Sequence, residues 1–278
     1  MCGTCGCSDP ANAVTMTDPA KGETTLLRRP AHDHDHAHQH HHHDGDDRPH
    51  AHGPHGEVIA LEHAVLAEND RIAARNRGWF DGRGVLALNL VSSPGAGKTT
   101  LLESTIRVLA GTVEIAVIEG DQMTAADAER IRAAGARAIQ INTGAGCHLE
   151  ADMVADALAA LEPQPGSILM IENVGNLVCP AMFDLGERMK VAVISTPEGA
   201  DKPLKYPHMF RAAEVVVVNK IDLAPHVDFD MGTCAENIHA VNPEARIIPL
   251  SAKTGDGMEE WLGFLRDLRA KAAAPAGA

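Results

Sequence analysis

Two stretches of the chain carry the residue types that handle phosphate and a purine base. "SSPGAGKTT" (residues 92–100) follows the apolar run "VLALNLV" and precedes the helical pattern "TLLESTIRVLA". It fits G-x-x-x-x-G-K-[ST] except that Ser92 stands at the first glycine position. Gly95, Ala96 and Gly97 permit a tight turn that aims backbone N–H groups inward, and a helix N-terminus adds donors and a favourable dipole. Lys98 can reach the β- and γ-phosphates. Thr99, followed by Thr100, can place its hydroxyl on Mg²⁺. The plain alternative, an ordinary strand-to-helix turn, is weak at this location. "VVVVNKID" then gives Asn219, Lys220 and Asp222 after an all-valine strand. A carboxylate at Asp222 can accept from the guanine ring N–H and exocyclic amine, and against adenine it stays unpaired. "SAK" (Ser251, Ala252, Lys253) follows the last strand and resembles a loop that closes over guanine. The order of the two motifs argues for GTP over ATP.

Acidic residues sit where such a site needs them. Asp121 ends a strand in "IEGDQMT" and Glu172 ends another in "LMIENVG". Open parallel sheets gather ligands at these strand ends. Either carboxylate can hold Mg²⁺, directly or through water, or orient the attacking water. A surface acid or helix cap is the plain alternative for each taken alone.

A second chemistry is that of transition metals. Three of the 6 cysteines (Cys2, Cys5 and Cys7) fall in the opening "MCGTCGC". Three thiolates with one further donor suit Ni²⁺ in tetragonal or Zn²⁺ in tetrahedral geometry. A redox dithiol or an unused tail is the alternative. Of 16 histidines, eleven lie between His32 and His55, mixed with aspartates. That pattern reads as a metal reservoir, against a purification tag or simple low complexity. Inside the nucleotide-binding region, "GAGCHLE" sets Cys147 beside His148, and "ENVGNLVCP" carries Cys179. Both stretches follow strand ends on the nucleotide side, so the three can converge on one metal. Spacing alone leaves that open. Cys234 has no comparable context.

These residues need a scaffold. At 278 residues and 45% hydrophobic content the chain can bury a real core, filled by aliphatics because aromatics are 3%. Residues 1–56 show no helix or strand period and read as a flexible Cys/His-rich arm. A helix is expected from Glu57, with Gly78 as its stop. Residues 57–272 form the nucleotide-binding domain and 273–278 a frayed tail. Val- and Ile-rich strands alternate with helical patterns, which predicts an α/β fold with a mostly parallel sheet and helices on both faces. Thr124 and Gly135 bracket one of these helices. A net charge of -14 argues against a nucleic-acid partner. Without a long apolar span or a signal-like start, membrane insertion and secretion are not expected, and the cytoplasm is the default.

"SSPGAGKTTLL", "INTGAGCHLEADM", "IENVGNLVCP", "EGADKPLKYPHMF" and "NKIDL" together resemble the HypB family of hydrogenase nickel-incorporation GTPases. The resemblance runs from about residue 57 to the C-terminus and includes the cysteine arm. It implies a P-loop GTPase that dimerises across its nucleotide face when GTP is bound. It places a high-affinity nickel site on Cys2, Cys5 and Cys7. A weaker nickel or zinc site falls on Cys147, His148 and Cys179, and Mg²⁺ coordination on Thr99 with Asp121 and Glu172 nearby. It sets the segment Asp201 to Pro207 at or near the dimer face. The implied function is GTP-driven insertion of Ni²⁺ into the [NiFe]-hydrogenase large subunit. A small nickel- and zinc-binding accessory protein is the implied direct partner and a metal-binding prolyl isomerase a second. Nickel storage with secondary GTPase activity, or maturation of another nickel enzyme such as urease, are the competing readings.

Overall fold

A computed structural model describes residues 14–27, 54–121, 126–144 and 146–272; for residues 54–63 and 126 only the backbone is described. Cys2, Cys5, Cys7, the histidine tract up to residue 53, Thr124 and the tail lie outside the described residues. In chain order the elements begin with β1 (Thr15–Asp18), β2 (Glu23–Leu26), α1 (Pro54–Arg83), β3 (Leu86–Ser92), α2 (Lys98–Leu109) and β4 (Ile115–Asp121). They continue with α3 (Ala126–Ala134), β5 (Arg137–Asn142), α4 (Ala151–Leu161), β6 (Ile168–Glu172), the single turn α5 (Cys179–Met182) and β7 (Met189–Ser195). The rest are the turn α6 (Lys202–Lys205), α7 (Pro207–Ala212), β8 (Ala213–Asn219), α8 (Met231–Val241), β9 (Arg246–Pro249) and α9 (Met258–Ala272).

The strands form one sheet in the order β2-β1-β5-β4-β6-β3-β7-β8-β9. From β5 to β9 all neighbours are parallel. Every residue of β3 is buried, as expected of a strand covered on both faces. Leu101, Ile106, Ile131, Trp261 and Leu265 pack on one face, from α2, α3 and α9. Trp261 donates its indole N–H to Thr105 Oγ1 at 2.9 Å, so this large side chain is buried without an orphaned donor. The other face carries two clusters, one under α1 and α4 and one under α7 and α8. Cys234 of α8 is fully buried in the second of these.

Two expectations need correction. Gly78 does not stop α1, which runs on to Arg83 before Gly84 turns with φ 62°. A glycine in an exposed helix interior costs only about 1 kcal/mol, and here Phe80, buried in the core beyond it, draws the helix onward. The second correction concerns residues 14–27, which the sequence places in an arm without a strand. They form a β-hairpin, β1–β2, that adds antiparallel to β5. Its backbone ladder covers what would be an open sheet edge. Val14, with Met16 and Leu27 against the same cluster, anchors it.

Helix α1 also braces the site from behind. Asn69 Oδ1 accepts from Ala151 N at 2.9 Å, and Asn76 donates to Ala151 O at 2.8 Å and Leu185 O at 3.1 Å. The start of α4, three residues past His148, is therefore held on both its backbone donor and acceptor.

Candidate functional site

The turn from β3 to α2 is built around Gly97. It has φ 98°, and a Cβ there would lie 2.5 Å from Asn219 Nδ2, so only glycine fits on either count. Lys98 is buried, and its ammonium donates to Ser92 Oγ at 2.7 Å. Ser92 in turn donates to Ser93 O at 2.6 Å. The serine at the first motif position thus serves as the ammonium's protein partner. Thr99 Oγ1 donates to Glu172 Oε1 at 2.8 Å. Burial lowers the Lys98 pKa, opposed by the charges of Glu172 and Glu119. Burial likewise raises that of Glu172, opposed by Lys98 and the Thr99 hydroxyl.

These groups open onto a cleft of about 660 Å³, within the range of small-molecule sites. Gly95, Thr100 and Asp121 also line it. Sequence reasoning missed Glu119. It lies beside Glu172 in the β4–β6 register and is almost fully buried. Desolvation first, then the charges of Glu172 and Asp121, push its pKa up to about 9. Its one signal was a glutamate inside an otherwise apolar strand, two residues before Asp121.

On the base side, Asn219 is fully engaged by backbone. It donates to Ala96 O at 3.0 Å and accepts from Lys220 N at 2.8 Å and Ala252 N at 3.1 Å. It therefore joins the phosphate loop to the Ser251–Lys253 loop. Ser251 Oγ accepts from Thr254 N at 3.1 Å, which shapes that loop, and Lys253 is exposed on it. Lys220, at φ 61°, lays its ammonium on Gly95 O at 2.6 Å. Asp222 Oδ1 is buried and finds no hydrogen-bond partner among the described residues.

Cys147, His148 and Cys179 come together. Their ligand atoms lie within 4.8 Å of one another. The two sulfurs are 2.9 Å apart and Cys147 Sγ is 3.6 Å from His148 Nδ1. The His148 ring stacks on Phe183 at 3.9 Å, and its Nε2 is 3.7 Å from Glu150 Oε1. A carboxylate at the far nitrogen is the arrangement that orients ligating histidines. Cys147 follows β5 and Cys179 follows β6, with β4 between them. The loop after β5 crosses over the end of β4 at Gly120, where a Cβ would lie 2.9 Å from Leu149. Asn173 then accepts from Leu149 N at 3.1 Å, and Asn176 donates to Cys147 O at 3.4 Å. The segment from Glu172 to Cys179 therefore starts at the phosphate side and ends in the cluster, and Cys147 itself lines the 660 Å³ cleft. Cys234 is different: burial pushes its thiol up to about 11.

The segment from Asp201 to Pro207 spans α6 and enters α7. Just before it, Glu198 accepts from Ser93 of the phosphate loop and from Ser195, and pairs with Lys202 at 3.3 Å.

A family model for the CobW/HypB/UreG nucleotide-binding domain matches residues 86–249. The chain belongs to this family. Hydrogenase maturation factor HypB of Rhizobium leguminosarum bv. viciae is 58% identical over 208 residues, covering 75% of this chain and 70% of that protein. The Escherichia coli (strain K12) protein of the same description is 48% identical, covering 97% and 99%. Among solved structures, HypB of Helicobacter pylori in complex with nickel superposes with a TM-score of 0.69 at 39% identity, covering 76% of this chain and 99% of that one. HypB of Archaeoglobus fulgidus gives 0.69 at 42% identity, covering 73% and 99%. Among the described residues no helix is long and apolar enough to cross a membrane.

Proposed function

We propose that the chain is a cytoplasmic GTP-hydrolysing nickel metallochaperone that helps insert Ni²⁺ into the [NiFe]-hydrogenase large subunit. One observation carries the reading: Cys147 of the Cys-His-Cys cluster lines the same cleft as Lys98, Thr99 and Glu172. Lys98 balances charge on the β- and γ-phosphates, and the N–H groups of the Gly95–Thr100 turn cradle them. Asp222 reads guanine, since its buried oxygen lacks a partner in the protein, and Asn219 ties the phosphate loop to the base loop. Thr99, Asp121 and Glu172 would hold Mg²⁺, which neutralises phosphate charge when bound. The donor set fits, because Glu172 Oε2 and Glu119 Oε2 are buried with no hydrogen-bond partner among the described residues. Ni²⁺ is cargo on Cys147, His148 and Cys179, and Zn²⁺ suits the same set.

In this reading, GTP favours a dimer across the nucleotide face, with the Asp201–Pro207 segment at or near it. A small nickel- and zinc-binding accessory protein is the direct partner, and a metal-binding prolyl isomerase is a second. The Glu172–Cys179 segment joins the nucleotide side to the metal cluster, and if the nucleotide alters metal affinity through it, the metal must alter nucleotide affinity by the same factor. The test uses the full chain with Cys2, Cys5 and Cys7 changed to Ser and the eleven histidines from His32 to His55 changed to Ala. Its Ni²⁺ affinity is compared with GDP and with a non-hydrolysable GTP analogue. A change of fivefold or more is expected; equal affinities overturn the coupling.

A further inference from the structure

The amino ends of the parallel strands, opposite the phosphate cleft, hold a second concavity of about 550 Å³. It is a groove between α1 and α4. Arg75, Trp79 and Arg83 follow one another at four-residue intervals along α1, so they form one row with steps of about 6 Å. Ala155, Leu158 and Ala159 of α4 give the groove an apolar floor, and Pro163 extends it. Arg137, the first residue of β5, adds a third guanidinium, which donates to Leu161 O and, at 3.4 Å, to Glu162 O. The phosphate cleft lies at the other end of the strands. The 7 residues of β3 alone separate the two by about 20 Å.

The charge of this groove runs against that of the chain. The net charge is -14, yet three guanidinia line the groove against the single carboxylate of Glu162. Elsewhere on α1 the arginines are neutralised: Arg71 pairs with Glu68 at 2.6 Å and Arg77 with Asp184 at 2.7 Å. Arg75, Arg83 and Arg137 make no ion pair among the described residues. The Arg83 guanidinium lies 4.6 Å from the centre of the Trp79 ring, and that ring is only partly buried. Guanidinium forks match carboxylates in two-point contacts. Arginine and tryptophan together are the side chains that most often anchor protein partners.

We infer that this groove docks an extended acidic segment of a partner protein, with carboxylates on Arg75 and Arg83 and an apolar side chain between them on Trp79 and the α4 floor. In an extended chain, residues i and i+4 share a face about 13 Å apart, which matches the span of about 12 Å from Arg75 to Arg83. Residue i+2 then falls over Trp79. A small phosphate-bearing ligand would satisfy the guanidinia but leave Ala155, Leu158 and Pro163 uncovered. A nucleic acid meets the repulsion of the whole acidic chain. The inference does not depend on the metal-handling reading above. A partner held here leaves the phosphate cleft and the Cys-His-Cys cluster open, because both lie at the carboxyl ends of the strands.

The test uses the metal-free full-length chain in EDTA at about pH 8, where histidines are neutral, and two peptides, EEELEEE and QQQLQQQ. Binding is read by calorimetry and by tryptophan emission. Trp79 and Trp261 are the two tryptophans, and Trp261 is fully buried with its N–H on Thr105, so a change in emission reports Trp79. Saturable binding of EEELEEE, about tenfold or more tighter than that of QQQLQQQ, is expected. The double variant Arg75→Glu/Arg83→Glu should weaken it about tenfold or more. GTP hydrolysis should be unchanged in that variant, which also shows that it folds; if it does not fold, Arg75→Gln/Arg83→Gln makes the same comparison. Equal binding of the two peptides, or binding that survives the loss of both arginines, overturns the inference. So does binding of tripolyphosphate or of phosphatidylglycerol vesicles through these arginines where EEELEEE fails, which would make the ligand a phosphate. A nucleotide-free dimer in sedimentation that the double variant dissociates would make the occupant a second copy of this chain and overturn it equally.

Discussion

The phosphate loop and the Cys147–His148–Cys179 cluster share one cleft and are held together by different means. In the phosphate loop the functional side chains hold one another: Lys98 on Ser92, Thr99 on Glu172, with both pairs buried. In the cluster the side chains also meet, but the loops that carry them are held by Asn173 on Leu149 N and Asn176 on Cys147 O, and both thiols stay partly exposed. A site of the first kind is preorganised and changes little as ligand arrives. A site of the second kind moves whenever its supporting loop moves. Since that loop starts at Glu172, the metal cluster is the adjustable partner and the phosphate site the fixed one.

The sharpest way to break this contrast is Lys98→Ala. It removes the buried ammonium from the phosphate side, and GTP hydrolysis should fall by about 10³-fold, in line with losing a preorganised charge. Nickel affinity without nucleotide should stay within about twofold, because Lys98 rests on Ser92 whereas the cluster loops rest on Asn173 and Asn176. Steady-state phosphate release and a nickel titration check both. A parallel collapse of nickel affinity would mean that the two sites are one structural unit.

Cys179→Ser tests the other side. A serine hydroxyl is a poor ligand for Ni²⁺ or Zn²⁺, and affinity at the inner cluster should drop about 10- to 100-fold by competition with a chromogenic chelator. Hydrolysis measured without metal should fall far less than in Lys98→Ala. A loss as large as that of Lys98→Ala would place Cys179 in the hydrolytic machinery.

The same contrast explains what could be read from the chain. Lys98 and Thr99 sit in one contiguous motif whose strand and helix are visible on either side, so their placement was legible. Asp222 was legible for the same reason. From spacing the cluster was legible only as an open possibility, because Cys147 and Cys179 are on separate loops. Their meeting depends on β4 lying between β5 and β6 and on Gly120 giving the loop room to cross it. Strand order is a tertiary property, and spacing does not encode it. The hairpin was hidden for another reason. "TMTD" and "ETTL" are short and polar, and their stabilisation comes from the edge of β5 and the burial of Val14. Gly78 misled because propensity within a helix is weaker than the burial of Phe80 beyond it.

The smallest effect should be the most informative. Asn173 is buried, accepts from Leu149 N and donates to Asn89 Oδ1 at 3.2 Å; Asn89 continues to Glu187 Oε1 at 3.1 Å. Asn173→Ala orphans the Leu149 donor and should cost about 1–3 kcal/mol of stability. It should also loosen the backbone behind His148, weakening nickel binding several-fold and shrinking the difference between the GDP and GTP-analogue states. Asn89→Ala cuts the same network one bond further back and leaves Leu149 N bonded. It should cost similar stability, read as a lower unfolding midpoint in urea, with nickel affinity retained. If both variants lose nickel affinity in proportion to their stability, Asn173 contributes only to folding. If only Asn173→Ala loses the nucleotide dependence, the connection between phosphate and metal runs through that single side chain.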